Sequence, residues 1–355
     1  MSTSHNLRLT ALLIVAASGP LIAQSLRPTA PAKASFAQPG ISPDGSEIAF
    51  VSAGDIWAVS PRGGDARLLV AHAATDERPL YSPDGTRLAF MSNRAGSMDL
   101  WLLTLATGQV QRLTFDDGNE ALDAWSPDGE WLYYSTSAHD IAGMNDIYRV
   151  RARGGTPMPV AADRYASEFM SAPAPDGASI AIVARGMGLS QWWRKGHSHL
   201  DESELWVVRF GGAGSPRYEK VMPRGAKQQW PMWGPGAQSL TFVSDRSGEQ
   251  NLWSKPMQGE ARPLTSFSSG RVMWPTMASN GQIAFERDFG IWLYDPASGA
   301  AREVPITLRG AAMVDPVEHL SLAANFSDLA VAPDGKKVAF TAHGEVFAAS
   351  ATDGG

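Results

Sequence analysis

One short phrase is written seven times along this chain: a Ser-Pro-Asp-Gly turn, then a strand reading Ile-Ala-Phe. Full copies of the turn stand at Ser42-Pro43-Asp44-Gly45, Ser82-Pro83-Asp84-Gly85 and Ser126-Pro127-Asp128-Gly129. Worn copies follow at Pro175-Asp176-Gly177, Gly234-Pro235-Gly236, Ser279-Asn280-Gly281 and Pro333-Asp334-Gly335. The proline slots fall at 43, 83, 127, 175, 235, 279 and 333, in steps of 40, 44, 48, 60, 44 and 54 residues. A period in the forties with variable insertions marks a radial repeat array, whose units bury their apolar faces only against each other.

Each repeat reads as four short strands. Proline presets φ at the first corner of the turn, aspartate bonds back to the backbone, and glycine supplies a left-handed exit. The strand after it alternates large, small, large, as in Ile48-Ala49-Phe50, Leu88-Ala89-Phe90 and Ile283-Ala284-Phe285. That places two bulky residues on one face, where a neighbouring sheet can cover them. A third strand carries an aromatic, as in Asp55-Ile56-Trp57, Asp99-Leu100-Trp101 and Asn251-Leu252-Trp253, and a more polar fourth strand closes most units. The predicted fold is therefore all-β: a β-propeller of four-stranded blades, with six complete blades plus the first three strands of a further blade.

The expected organisation is a signal peptide at 1–23, a linker at 24–34, a six-bladed propeller at 35–308, a linker at 309–324, and a truncated first blade of a second propeller at 325–355. A single seven-bladed ring is the alternative. It would take its last strand from the N-terminus, where Pro28 and Pro31 are poor ladder residues. An unfinished blade leaves an open edge, so the chain reads as a fragment. The apolar run Leu9 to Ala23 resembles a secretory h-region and is short for a membrane span. Export, to the periplasm of a two-membrane bacterium, is the expectation.

The net charge of −6 is spread without blocks, which argues against nucleic acid as a partner. The absence of cysteine excludes disulfides, thiolate metal sites and cysteine nucleophiles. No Gly-x-Ser-x-Gly elbow, phosphate-cradling glycine loop or His-Glu-x-x-His helix is present. Asp44, Asp84, Asp128, Asp176 and Asp334 occupy turn slots that account for them. The inner-strand segments, such as Arg78-Pro79-Leu80-Tyr81, Ala124-Trp125 and Pro231-Met232-Trp233, show little of the converging carboxylates or histidines that a propeller enzyme needs. No catalytic residue, metal ligand set or cofactor is expected.

The longest insertion, residues 184–204, lies in the fourth unit. Trp192 and Trp193 with Arg194 and Lys195 could grip a peptide or a partner domain, or the indoles could pack over their own blade rim. His197, His199 and Asp201 alternate, so an extended backbone would aim them the same way. A metal site and a loop-shaping network with Glu202 and Glu204 are both open, and the second is favoured. These residues form the candidate ligand- or partner-binding patch: Trp192, Trp193, Arg194, Lys195, His197, His199, Asp201 and Glu202.

The repeats resemble the TolB-like, WD-type propeller unit. The segment Gln191 to Trp206 is similar to part of the first propeller of tricorn-type serine peptidases, and Ala332 to Phe347 to the start of their second. The resemblance implies the non-catalytic propeller portion of an exported peptidase, one that guides or gates peptides and docks a PDZ module and a catalytic core. A free-standing periplasmic TolB-like binding scaffold is the alternative.

Overall fold

The computed structural model describes residues 34–351 except 164, 187–192, 195–196, 199–202, 211–215, 223–224, 310–325 and 343–344. Within it, each Ser-Pro-Asp-Gly turn is a self-contained hydrogen-bond unit. The Gly85 amide donates to the Ser82 carbonyl at 2.8 Å. Gly85 takes φ 69°, which glycine adopts without a Cβ clash. The Ser82 hydroxyl donates to Asp84 and accepts the Arg87 amide at 3.0 Å, while Asp84 accepts the Thr86 amide at 3.0 Å. The other two full copies repeat the pattern through Asp44 and Asp128. These carboxylates are committed to the turns.

In blade one the turn joins Ala37–Ile41 to Ile48–Ser52, followed by Asp55–Val59 and Gly64–Val70, each antiparallel to the strand before it. Five more sheets of four consecutive strands start from Asp76–Tyr81, Glu120–Trp125, Ala166–Pro173, Gln228–Trp233 and Met273–Met277. In blade four a two-residue hairpin, Trp193–Arg194 with His197–Ser198, interrupts the connection between the second and third strands. The chain divides into two compact units, Met1–Thr307 and Leu308–Gly355. The second unit contains a three-stranded sheet, Phe326–Val331, Lys337–Ala342 and Glu345–Ser350. Its Phe340 and Phe347 rings stack at 5.5 Å, and Leu329, Val331 and Val346 are exposed. The architecture is thus six complete blades and one partial blade.

Packing between blades explains the large-small-large phrase. Leu88 and Phe90 of blade two share a core with Ala49 and Ile56 of blade one. Leu132 and Tyr134 of blade three share one with Ala89 of blade two, and Leu240 and Phe242 of blade five with Ala181 of blade four. In these three interfaces the bulky pair reaches back toward the preceding blade, whose alanine makes room for it, whereas Ile180 and Ile182 of blade four pack with Tyr133. Ile48, Ala49 and Phe50 are consequently all at 0% exposure. Burying one such phenylalanine stabilises the ring by about 1.5–3 kcal/mol.

Blade six closes directly on blade one, and no strand of the four in either blade is exchanged. Polar bonds between residues 235 to 253 positions apart hold this seam. The Thr276 hydroxyl accepts the Ile41 amide at 3.0 Å and donates to the Pro39 carbonyl at 3.2 Å. The Ser279 amide donates to the Pro43 carbonyl at 2.9 Å, and the Phe36 amide to the Phe289 carbonyl at 2.9 Å. At the outer edge Ile306–Leu308 adds a fifth strand beside Gly64–Val70, and the Gly64 amide donates to the Pro305 carbonyl at 2.9 Å.

Two outcomes test these interactions. Thr276→Val strands the Ile41 amide and the Pro39 carbonyl inside the seam, so the denaturant midpoint should fall by the equivalent of about 1–3 kcal/mol. Thr276→Ser, which keeps the hydroxyl, should recover most of that loss. Asp84 is held down at about 2 by the Ser82 hydroxyl and then by the Thr86 amide. Its ionised form therefore stabilises the fold above roughly pH 4, and that contribution is lost as pH falls toward 2. Thermal midpoints measured across that window should decline less steeply in Asp84→Asn than in the unaltered protein.

Candidate functional site

The six inner strands surround the ring axis and share one irregularity. Their pairing slips between Ala37 and Gly40, Glu77 and Leu80, Phe169 and Ala172, Gln229 and Met232, and Met273 and Thr276. In each slip a non-glycine residue sits at positive φ: Gln38, Arg78, Met170, Trp230 and Trp274, all between 49° and 52°. Blade three slips too, leaving Asp123 without a partner between Ala124 and Leu122. Such β-bulges re-aim side chains, and left-handed conformations in non-glycine residues persist only where the surroundings impose them. Here they are imposed in five of the six inner strands. Blades one and two approach so closely that a Cβ on Gly40 would lie 2.0 Å from the Pro79 carbonyl oxygen.

The bulges face a cavity of about 700 Å³ on the axis. Turn prolines Pro43, Pro83, Pro127, Pro175 and Pro235 line it as well. Its two sides differ in chemistry. Blades four to six contribute Met170, Trp230, Met232, Trp274 and Met277, a wall of indoles and thioethers. The Trp230 and Trp274 rings lie 5.5 Å apart. Blades one to three contribute the charged groups Arg78 and Asp123 among apolar residues such as Leu80, Met91, Leu122 and Trp125. The Gln38 side chain accepts the Arg78 amide at 2.6 Å, and the Gln38 amide donates to Glu286 at 3.0 Å.

Asp123 accepts hydrogen bonds from the Ser171 hydroxyl at 2.8 Å and the Ser135 hydroxyl at 3.2 Å, tying blades three and four. It keeps partial exposure to the cavity, yet the protein crowded around it pushes its carboxyl up to about 6 against the pull of those hydroxyls and of Arg78. Arg78 is only 5% exposed. Burial lowers its guanidinium to about 10, so it remains cationic at neutral pH. Its Cζ lies 5.2 Å from the Trp274 ring centroid. Among the described residues, its Nε and Nη1 have no hydrogen-bond acceptor.

Two other channel indoles are structural struts. Trp125 Nε1 donates to the Leu80 carbonyl at 3.0 Å, and Trp233 Nε1 to the Ala172 carbonyl at 2.8 Å. Each ties its inner strand to that of the preceding blade. Trp230 Nε1 is buried without an acceptor among the described residues.

Trp192, Lys195, His199, Asp201 and Glu202 lie outside the described residues. Trp193, Arg194 and His197 fall on the backbone of the small hairpin. Among the described residues no group of three histidines, aspartates or glutamates is placed to hold a metal ion. The inner strands do bring one pair of opposite charges to the axis: Arg78 and Asp123 line one cavity across a blade boundary. A signal for this site is present in the sequence. The residue five places before the turn's proline slot precedes another proline in Gln38-Pro39, Arg78-Pro79, Trp230-Pro231 and Trp274-Pro275.

Comparison with known proteins follows the same geometry. The profile of the tricorn protease N-terminal beta propeller domain matches residues 33–300. A tricorn protease homolog of Saccharolobus solfataricus is 24% identical over 328 residues, covering 91% of this chain and 29% of that protein. The crystal structure of the tricorn protease superposes with a TM-score of 0.67 at 21% identity, over 89% of this chain and 30% of that one. TolB from Acinetobacter baumannii superposes with a TM-score of 0.52 at 20% identity, over 68% of this chain and 56% of that one. The chain thus spans under a third of the length of the tricorn proteins it matches.

The raised Asp123 carboxyl has a measurable consequence. The folded state holds this proton more tightly than the unfolded chain, so stability falls as pH rises from about 4 to about 6 and then levels. Asp123→Asn, which is never ionised, should lack that decline. Denaturant midpoints of the two proteins should diverge across this window in favour of the asparagine variant.

Proposed function

The chain belongs to the family of tricorn protease N-terminal β-propeller domains, and on that footing we propose that it is a binding scaffold whose channel holds extended polypeptide. The observation that carries this reading is the two-sided cavity. Methionine and tryptophan side chains adapt to varied apolar groups, as thioethers repack at little cost and indoles offer large rigid faces. On the opposite side Arg78 and Asp123, set among apolar residues, offer charged and hydrogen-bonding groups that suit a peptide backbone or its termini. A volume of about 700 Å³ falls in the range of sites that enclose a ligand of several residues.

A second reading has its own support. The match to tricorn proteins runs along 91% of this chain, which favours a role as the propeller portion of an exported tricorn-type serine peptidase. There it would guide or gate peptides and dock the PDZ and peptidase segments. The apolar stretch Leu9 to Ala23 supports export under either reading. Mass spectrometry of the native gene product separates the two: a polypeptide extending past Gly355 into a peptidase segment supports the second, a product of this length the first.

Binding itself is tested with the purified chain and a fluorescein-labelled unstructured peptide. Anisotropy should rise saturably, and Met232→Glu in the channel should weaken binding at least tenfold. Met158→Glu, on an exposed outer strand, should leave it unchanged. Release of peptide fragments by this chain alone, seen by mass spectrometry, would defeat the scaffold reading.

A further inference from the structure

We propose that Arg78 anchors a carboxylate carried on an apolar group, held in the channel against the Trp230 and Trp274 indoles. The inference deepens the scaffold reading and rests on it for the channel being a binding site. Arg78 is a cation that the fold has buried and left without an acceptor. Its Nε and Nη1 are unpaired among the described residues, and the side chain is 5% exposed. Leaving a buried donor unpaired is costly, and a charged donor more so.

The groups that could satisfy it are committed elsewhere. The Asp123 oxygens accept the Ser135 and Ser171 hydroxyls, and no ion pair joins Asp123 to Arg78 among the described residues. The Gln38 side-chain oxygen is taken by the Arg78 amide rather than its guanidinium. Glu77 carries a bond from Gln38 Nε2 at 3.4 Å. The left-handed bulge, that amide bond and the following Pro79 fix the backbone of Arg78 before any ligand arrives.

The chemistry of the ligand follows from the neighbours. A guanidinium offers a planar fork that matches the two oxygens of a carboxylate. One arginine balances one negative charge. A phosphate dianion would add its second charge next to Asp123. The other cation of the lining, Arg185, is already engaged and stacks on Phe169 at 5.4 Å. Next to the fork lie the Trp274 face and then Trp230, whose indole N–H is also unpaired. An apolar or aromatic body bearing the carboxylate would cover these rings, and a carbonyl on that body could accept the indole proton. A small apolar acid and the C-terminal residue of a peptide share this chemistry.

The test uses the whole chain and intrinsic tryptophan fluorescence, with calorimetry for affinity. Four probes are titrated: N-acetylphenylalanine, its primary amide, a pentapeptide ending in phenylalanine with a free C-terminus, and the same pentapeptide amidated. The expected result is at least tenfold tighter binding of a free acid than of its amide, lost in Arg78→Met and partly kept in Arg78→Lys. Measured at pH 5, where Asp123 keeps its proton and does not depend on the cation, Arg78→Met should also hold or raise the thermal midpoint, whereas a structural arginine would lower it. Preference for the free pentapeptide assigns the peptide terminus; preference confined to N-acetylphenylalanine assigns a small acid and removes support from the polypeptide reading. Equal binding of acids and amides, with Met232→Glu still disruptive, overturns the carboxylate anchor and leaves the scaffold standing. Absence of binding by all four probes overturns the anchor, as does a discrimination that survives in Arg78→Met.

Discussion

No blade of this propeller covers its own apolar surface, and that dependence organises the rest of the molecule. A four-stranded sheet whose second strand reads large-small-large has one crowded face and one recessed face. Stability comes from setting the crowded face of each blade into the recess of its neighbour, as Leu88 and Phe90 do over Ala49. The same geometry repeats at two further interfaces, so a change of volume at one blade is passed to the next. Close packing of this kind tolerates neither a lost methylene nor an added one without cost.

A ring built this way must also close, and closure cannot come from the repeat alone. Blades one and six are joined by polar bonds that span most of the sequence, with Thr276, Ser279 and Glu286 as the anchoring residues. Backbone groups of the first blade that would otherwise face the axis unpaired are satisfied there. The edge strand Ile306–Leu308 then covers the outer strand of blade one, so the two ends of the ring are fastened at inner and outer radii.

The channel stores strain and unmet polarity in the same place. Five non-glycine residues held left-handed at equivalent positions do not owe it to one side-chain type, since they are a glutamine, an arginine, a methionine and two tryptophans. The bulge is a property of the inner strand; what it presents is a property of each blade. Three of these bulges hold Met170, Trp230 and Trp274, and one holds Arg78, a cation set among apolar neighbours. Burial, a fixed backbone and an indole face together make that guanidinium the most demanding group in the cavity.

The repeat, its period and its four-strand unit were legible in the residues because turn chemistry and alternation are local. Pro-Asp-Gly dictates a corner wherever it stands, and Ile-Ala-Phe dictates a strand. The large-small-large phrase even encoded the blade interfaces, once read as a knob pair beside a socket. The site was not legible in the same way. The residues of the indole- and histidine-bearing loop at 184–204 are adjacent in sequence and so stand out, while Arg78, Asp123, Trp230 and Trp274 follow one another at separations of 44 to 107 positions and look like ordinary strand residues. Sequence alone determined what each blade is, because hydrogen bonds within a turn and pleat need no distant partner. Only the tertiary structure decided where the ring closes and which side chains meet on its axis, because those contacts exist solely after six separate sheets have been brought around a common centre.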